Sequence, residues 1–288
     1  MFKKLRVLMY HSVSRDGYRD GLTVGSDQLE EHFQYLRSKG YEAILLSELI
    51  AYYDHKQPLP AKPVLITFDD GFLNNYQIAY PLAQKYGMKI NFFLVPAFIT
   101  SGYYRKEACM GVEDIQKLDP ALVEIGLHTY DHSSYAELLP FQIETDIELC
   151  RTSLERMGLR YQPCLAYPYG AFPRRKGYDQ TRLFEILEEK GIRVAFRIGN
   201  RINRLPLRHQ FLIQRLDIKG DEPFLLFRIS LAAGRKLFGL PGLIRSVSFW
   251  FNKASATFKL LMAFCLGVAS FLLIMEIIRA CLGCPCSV

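Results

Sequence analysis

Short apolar runs alternate with longer amphipathic stretches along most of the chain. Leu5–Tyr10, Ala43–Leu45, Val64–Phe68, Asn91–Val95, Val123–Leu127, Cys164–Tyr167, Arg193–Arg197 and Phe211–Leu216 are short, rich in β-branched and aromatic residues, and bounded by turn signals. Each reads as a strand. Between them, Gln28 to Lys39 follows two capping residues, Ser26 and Asp27, and stops at Gly40. Phe141 to Met157 and Thr181 to Lys190 end in the same way before Gly158 and Gly191. These stretches predict helices. Strands that alternate with helices argue for an α/β architecture built on a parallel sheet or barrel. No internal repeat or low-complexity segment interrupts the pattern.

The pattern changes near Pro223. From Pro223 through Met275 there is no Asp or Glu, while Arg228, Arg235, Lys236, Arg245, Lys253 and Lys259 are all cationic. Phe224 to Phe238 reads as a last helix. Leu237 to Phe251 is apolar, broken at Pro241 and Gly242, and ends in the aromatic run Phe249-Trp250-Phe251. Leu260 to Met275 carries no charge, and its length lies near the lower limit for crossing a bilayer. Basic residues ahead of an apolar run with an aromatic belt predict a membrane-associated or transmembrane C-terminal helix. An interfacial helix, or one that packs on protein, is the alternative. The expected organisation is therefore a main domain over residues 1–235 and a basic, apolar segment over 236–288.

Composition refines this picture in two respects. Half of the 288 residues are hydrophobic, enough for a large folded core, and the net charge is +7. That charge suits a polyanion or an anionic membrane surface, but no nucleic-acid motif and no interleaved basic-aromatic stripe accompanies it. Nucleic acid is not an expected partner. Of seven cysteines, Cys109, Cys150 and Cys164 are scattered through the main domain and read as reduced thiols, while Cys281, Cys284 and Cys286 end the chain. Met1-Phe2-Lys3-Lys4 is basic, but the apolar run behind it is too short for a secretory signal. The expected location is the cytoplasmic face of the cell membrane.

Three segments carry candidate chemistry. Leu65-Ile66-Thr67-Phe68-Asp69-Asp70-Gly71 ends an apolar strand with two adjacent carboxylates. Their repulsion, worsened by burial, is relieved by a bound cation or by solvent in a polar turn. His128-Thr129-Tyr130-Asp131-His132 places two of the six histidines four residues apart, after another apolar run. A His pair plus a distant carboxylate is a common way to hold zinc or a similar divalent ion with positions left open, although a bare His-x-x-x-His is more often a solvated loop. Ala166-Tyr167-Pro168-Tyr169-Gly170 predicts a tight turn that leaves the Tyr169 amide able to face a ligand.

Taken in order, Thr67-Phe68-Asp69-Asp70-Gly71, His128-Thr129-x-x-His132 and Tyr167-Pro168-Tyr169-Gly170 resemble the polysaccharide deacetylase family, carbohydrate esterase family 4 or the NodB homology domain. The resemblance covers roughly residues 5 to 230. Val7-Leu8-Met9-Tyr10-His11-Ser12-Val13 resembles the start of the branch that contains poly-N-acetylglucosamine deacetylases. The resemblance implies a distorted (β/α) barrel, usually of seven parallel strands. It implies a divalent metal, zinc by default with cobalt or nickel also suitable, on Asp70, His128 and His132. It further implies Asp69 as general base toward the attacking water and the Tyr169 amide as a donor to the oxyanion. The implied substrate is an N-acetylated glycan, either a polysaccharide or a lipid-linked sugar.

The chain departs from the family pattern at two points. The third motif usually carries an arginine two residues before its proline, where this chain has Ala166. The late Leu-x-His motif that usually supplies the general acid is also missing, since no histidine follows His209. His11, at the end of the first strand, is the candidate acid in a permuted order. Arg215, in Leu212-Ile213-Gln214-Arg215-Leu216-Asp217, is the candidate for the arginine's task. Two other readings stand beside the deacetylase: hydrolysis of a non-sugar C–N amide, and a glycan-binding module without activity.

Overall fold

The computed structural model describes residues 3–55, 57–173, 178–207 and 209–234. The chain falls into two units, Met1–Phe224 and Leu225–Val288. In the first unit seven parallel strands close into a barrel: β1 Lys4–Tyr10, β2 Pro63–Asp69, β3 Ile90–Leu94, β4 Val123–Leu127, β5 Cys164–Ala166, β6 Val194–Ile198 and β7 Ile213–Asp217. Neighbours follow chain order around the ring. β7 closes it by pairing with β1 at Leu8↔Leu216 and Met9↔Asp217, while β1 pairs on its other side with β2 from Arg6↔Val64 to Tyr10↔Phe68. The strand predicted near Ala43 is real but lies outside the ring. Glu42–Ile44 pairs with the first half of β2, and β3 takes over the second half at Thr67↔Asn91.

Burial explains why the strands read as unbroken apolar runs. All seven residues of β2 and all five of β3 are buried, as expected for a parallel sheet covered on both faces. Leu5, Val7, Leu65, Phe93, Cys164, Ala166, Val194, Phe196 and Ile213 share one cluster across the strands. Side chains alternate along a strand, so Thr67 and Asp69 continue the row begun by Leu65, and Arg215 continues that of Ile213. The barrel interior is thus apolar along much of its height and polar towards the C-terminal ends of β2 and β7.

Helices cover the outside, including Ser26–Ser38, Leu46–His55, Pro140–Arg156 and Tyr178–Glu189. The first begins two residues earlier than predicted. Gly25 is its N-cap, and Asp27 sits in the first turn and pairs with Arg19 instead of capping. Another irregularity lies after β2, where the chain makes a π-turn over Asn75–Ala79 before the helix Tyr80–Tyr86. Pro81 has no N–H to give to the Gln77 carbonyl, and Arg15 Nη2 donates to that oxygen instead at 2.8 Å.

Cys109, Cys150 and Cys164 are free thiols and buried. Of the second unit only residues up to Gly234 are described, including most of the helix Phe224–Ala233. The C-terminal segment 236–288, with its expected membrane association and its four cysteines, lies outside the described residues. Among the described residues no helix is long and apolar enough to cross a membrane.

Candidate active site

In a parallel barrel the C-terminal strand ends share one rim, so residues far apart in sequence can meet there. Asp69 ends β2. His11 follows β1, His128 follows β4, the turn Pro168–Gly170 follows β5, and Arg215 lies in β7. All of the predicted site residues except the exposed Tyr169 ring point into one buried cluster.

Asp69 is gripped by Arg215. Nη1 donates to Oδ1 at 2.6 Å and Nη2 to Oδ2 at 2.7 Å, a planar fork on a planar carboxylate. Both residues are essentially inaccessible. The guanidinium also lies over the Phe93 ring at 5.6 Å, and Nη1 reaches Thr67 Oγ1 at 3.4 Å, whose hydroxyl donates to the Leu8 carbonyl at 2.7 Å. Ala166 shares the barrel interior with them. The small side chain at 166 leaves the interior to the arginine that arrives from β7.

Asp70, His128 and His132 form a second group, with one potential ligand atom from each lying within 4.8 Å of the others. His128 Nε2 is 3.5 Å and His132 Nε2 is 3.3 Å from Asp70 Oδ1. Their other ring nitrogens are engaged. His128 Nδ1 donates to the Ala166 carbonyl at 2.7 Å, and His132 Nδ1 lies 3.1 Å from the Tyr169 hydroxyl. A carbonyl can only accept, so His128 carries its proton on Nδ1 and turns a lone pair on Nε2 toward Asp70. Asp70 Oδ1 is buried without a hydrogen-bond partner. An orphaned carboxylate oxygen faced by imidazole nitrogens is a costly arrangement for a cation-free site and a fitting one for a divalent ion with mixed N/O ligands. These three residues therefore fit the metal.

Electrostatics agree with this assignment of states. Burial by itself would raise the Asp69 carboxyl, but Arg215, then His128 and His11, outweigh it and hold the group at about 2. Burial acts against charge on His128 and pushes it down to about 4, so the ring is neutral at physiological pH. Asp70 is also held below the usual carboxylate range, where burial is outweighed chiefly by the His132 contact and the charges of His11 and His128. His11 stands at the edge of the cluster, with Nε2 4.0 Å from Asp69 Oδ2.

The site is built on backbone that ordinary residues avoid. Asp70 (φ 71°), Thr129 (φ 64°), His132 (φ 69°) and Tyr169 (φ 58°) all take left-handed conformations. Each costs on the order of 1 kcal/mol and persists only where the surroundings over-determine it. Gly71 continues the left-handed run at φ 75°, and Gly170, at φ 62°, has the backbone nitrogen of Ile198 only 2.6 Å from where a Cβ would stand. No side chain fits at 170, which explains the glycine that ends the third motif.

Several supporting residues escape the motif reading. Asp146, in the helix Pro140–Arg156, accepts from the Tyr130 amide at 2.9 Å and from the Tyr135 hydroxyl at 2.7 Å, so it holds both ends of the loop that carries His132. Burial raises its carboxyl to about 6. Its signal in the sequence is position: an aspartate in step with the buried Ile143, Ile147, Cys150 and Leu154. Phe98 and Tyr104 stack at 4.1 Å, and with Tyr169 they surround His132. Tyr104 is pushed up to about 12 by burial and by the nearby Asp70 and Tyr169. The Tyr169 hydroxyl also acts on His132, beyond the amide foreseen from the turn.

Comparison with known proteins places this geometry. The sequence profile of the family described as Polysaccharide deacetylase matches residues 56–195. A Bacillus subtilis protein assigned to the polysaccharide deacetylases, YxkH, is 31% identical over 169 residues, covering 59% of this chain and 58% of the relative. The chain thus spans less than two thirds of that relative's length. The poly-beta-1,6-N-acetyl-D-glucosamine N-deacetylase of Staphylococcus aureus is 22% identical over 208 residues, 69% of each chain. The structure of IcaB from Ammonifex degensii superposes with a TM-score of 0.63 at 26% identity, over 79% of this chain and 96% of that one. Together with the closed seven-stranded barrel, these matches identify a polysaccharide deacetylase domain within the chain, matched over residues 56–195.

Proposed function

We propose that this protein is a metal-dependent hydrolase that removes N-acetyl groups from a glycan. The observation that carries this reading is the pairing of a buried, ionised Asp69 with a three-residue ligand set beside it. His128 Nε2 lies 3.8 Å from Asp69 Oδ2 and 3.5 Å from Asp70 Oδ1, so base and ligand set share one space. A divalent ion held by Asp70, His128 and His132 would acidify an attacking water and polarise the acetyl carbonyl.

The residues divide the remaining work. Asp69 accepts the proton of the attacking water. The Arg215 fork fixes its plane and keeps it ionised, ready to accept. The Tyr169 amide donates to the oxyanion that develops on the acetyl carbon. His11, within 4.0 Å of Asp69, hands a proton to the departing nitrogen, which leaves as a neutral amine while acetate stays behind. The exposed ring of Tyr169 and the stacked pair Phe98–Tyr104 give the rim flat apolar surfaces of the kind that sugar faces cover. The similarity to a poly-N-acetylglucosamine deacetylase supports a β-linked N-acetylglucosamine chain as the first substrate to try.

Acetate and free amine should be measured together after the full chain is incubated with N-acetylglucosamine oligomers and added zinc or cobalt. Equal amounts of the two products are expected. Metal uptake with no product from such oligomers, or from lipid-linked N-acetyl sugars, would overturn the reading.

A further inference from the structure

We propose that Asn75, assisted by Asn74, is a positioning residue that sets the proton donor His11 against the base Asp69. The inference rests on the donor role given to His11 above. His11 lies in a break between strands: β1 ends at Tyr10, and a short separate strand runs over Ser12–Ser14. In that break the backbone needs other partners. Asn75 Nδ2 donates to the His11 carbonyl at 2.7 Å. The Val13 amide donates to Asn74 Oδ1 at 3.0 Å, and Asn74 Nδ2 donates to Ser12 Oγ at 2.8 Å. The two asparagines are joined by Asn75 Nδ2 to Asn74 Oδ1 at 3.1 Å, and Asn75 is fully buried. Three consecutive residues, His11, Ser12 and Val13, are thus held by one side-chain pair.

Two further observations give this grip a role beyond satisfying a strand break. First, no side-chain hydrogen bond among the described residues holds the imidazole: His11 Nδ1 is buried without a partner, and Nε2 comes only within 4.0 Å of Asp69 Oδ2. Its place is set through its backbone. Second, the pair sits on the turn that leaves Asp69-Asp70-Gly71, tied back by the Asn75 amide to the Phe72 carbonyl at 2.9 Å. One short stretch of chain therefore carries the base and holds the donor, which fixes their separation.

The leaving group separates a positioning role from a structural one. An amine leaves only if protonated, whereas p-nitrophenolate leaves without help. Asn75→Leu is expected to lower kcat on an N-acetylglucosamine oligomer by roughly 10- to 100-fold, since a misplacement near 1 Å carries a loss of that order. With p-nitrophenyl acetate its kcat should change by no more than about threefold, since no donor is needed. Asn74→Ala should show the same selectivity at smaller size, and it carries the test if Asn75→Leu does not fold. His11→Ala should show the selectivity in full, and adding Asn75→Leu to it should cost the amide reaction nothing more. Equal losses on both substrates, or an Asn75 effect that survives in the His11→Ala background, would overturn the inference. If His11→Ala itself fails to discriminate between the substrates, the donor role falls, and this inference falls with it.

Discussion

Asp69→Asn is expected to lower turnover of an N-acetylated glycan by roughly 10²- to 10⁴-fold, the usual worth of a positioned general base. The substitution keeps the shape of the side chain and one acceptor oxygen for Arg215 but removes the capacity to take a proton. Bound metal should remain at the wild-type level, because Asp70, His128 and His132 keep their ligand atoms. Since Asp69 stays ionised down to about pH 2, it sets no acid limb in the working range of the wild-type enzyme. The loss in the variant should therefore be nearly constant across neutral pH. The comparison belongs at a temperature where circular dichroism shows both proteins folded, because Asn leaves the Arg215 charge partly uncompensated. A variant with near-normal turnover would remove Asp69 from the role of base.

Arg215→Met should be nearly as damaging, and for two separable reasons. The pair is fully buried, and breaking such a pair by removing one partner costs about 3–5 kcal/mol, since the remaining charge is stranded. Asp69 then faces burial without its cation, so its proton affinity rises. The sign of the pH dependence follows. In the wild type the depressed carboxyl contributes stability that is present above the unfolded carboxylate range and lost as pH falls toward 2. In the variant a carboxyl raised above its unfolded value favours the folded state only when protonated. The stability gap between the two proteins should therefore narrow as pH is lowered, in denaturant melts across the acid range. Turnover of the variant should also acquire an acid limb at higher pH, because the base must be ionised to act. An unchanged pH profile with a constant stability deficit would mean that Arg215 only packs the barrel.

Much of this site can be read from the sequence because its signals are local. Thr67-Phe68-Asp69-Asp70-Gly71 and His128-Thr129-x-x-His132 each close a strand that the hydrophobic pattern marks clearly, and the eight predicted strands all form. What the pattern cannot carry is closure. Arg215 and Asp69 stand 146 residues apart, and their fork exists only because β7 meets β1 across the ring. Arg215 could be named as a candidate from the want of an arginine at Ala166, but only the shared barrel interior explains how it reaches Asp69. Asp146 and the Asn74–Asn75 pair each hold backbone groups of a site loop, at the Tyr130 amide and at His11 and Val13, and such contacts leave no pattern of side-chain types. The helix Leu46–His55 and the π-turn at Asn75–Ala79 also escape prediction. The first is short and lacks cap signals. The second depends on an arginine from another loop taking the carbonyl that Pro81 leaves free.

On the proposed reading, Asp70, His128 and His132 hold the ion on which amide hydrolysis depends. The most direct test of that dependence is the initial rate of acetate release from an N-acetylglucosamine oligomer as zinc is returned to chelator-stripped full-length protein. The rate should rise from near zero in proportion to added zinc, level off at one ion per chain, and stay near zero throughout for His132→Ala. A stripped protein as active as the untreated one, or a His132→Ala variant that recovers with the wild-type stoichiometry, would contradict the account.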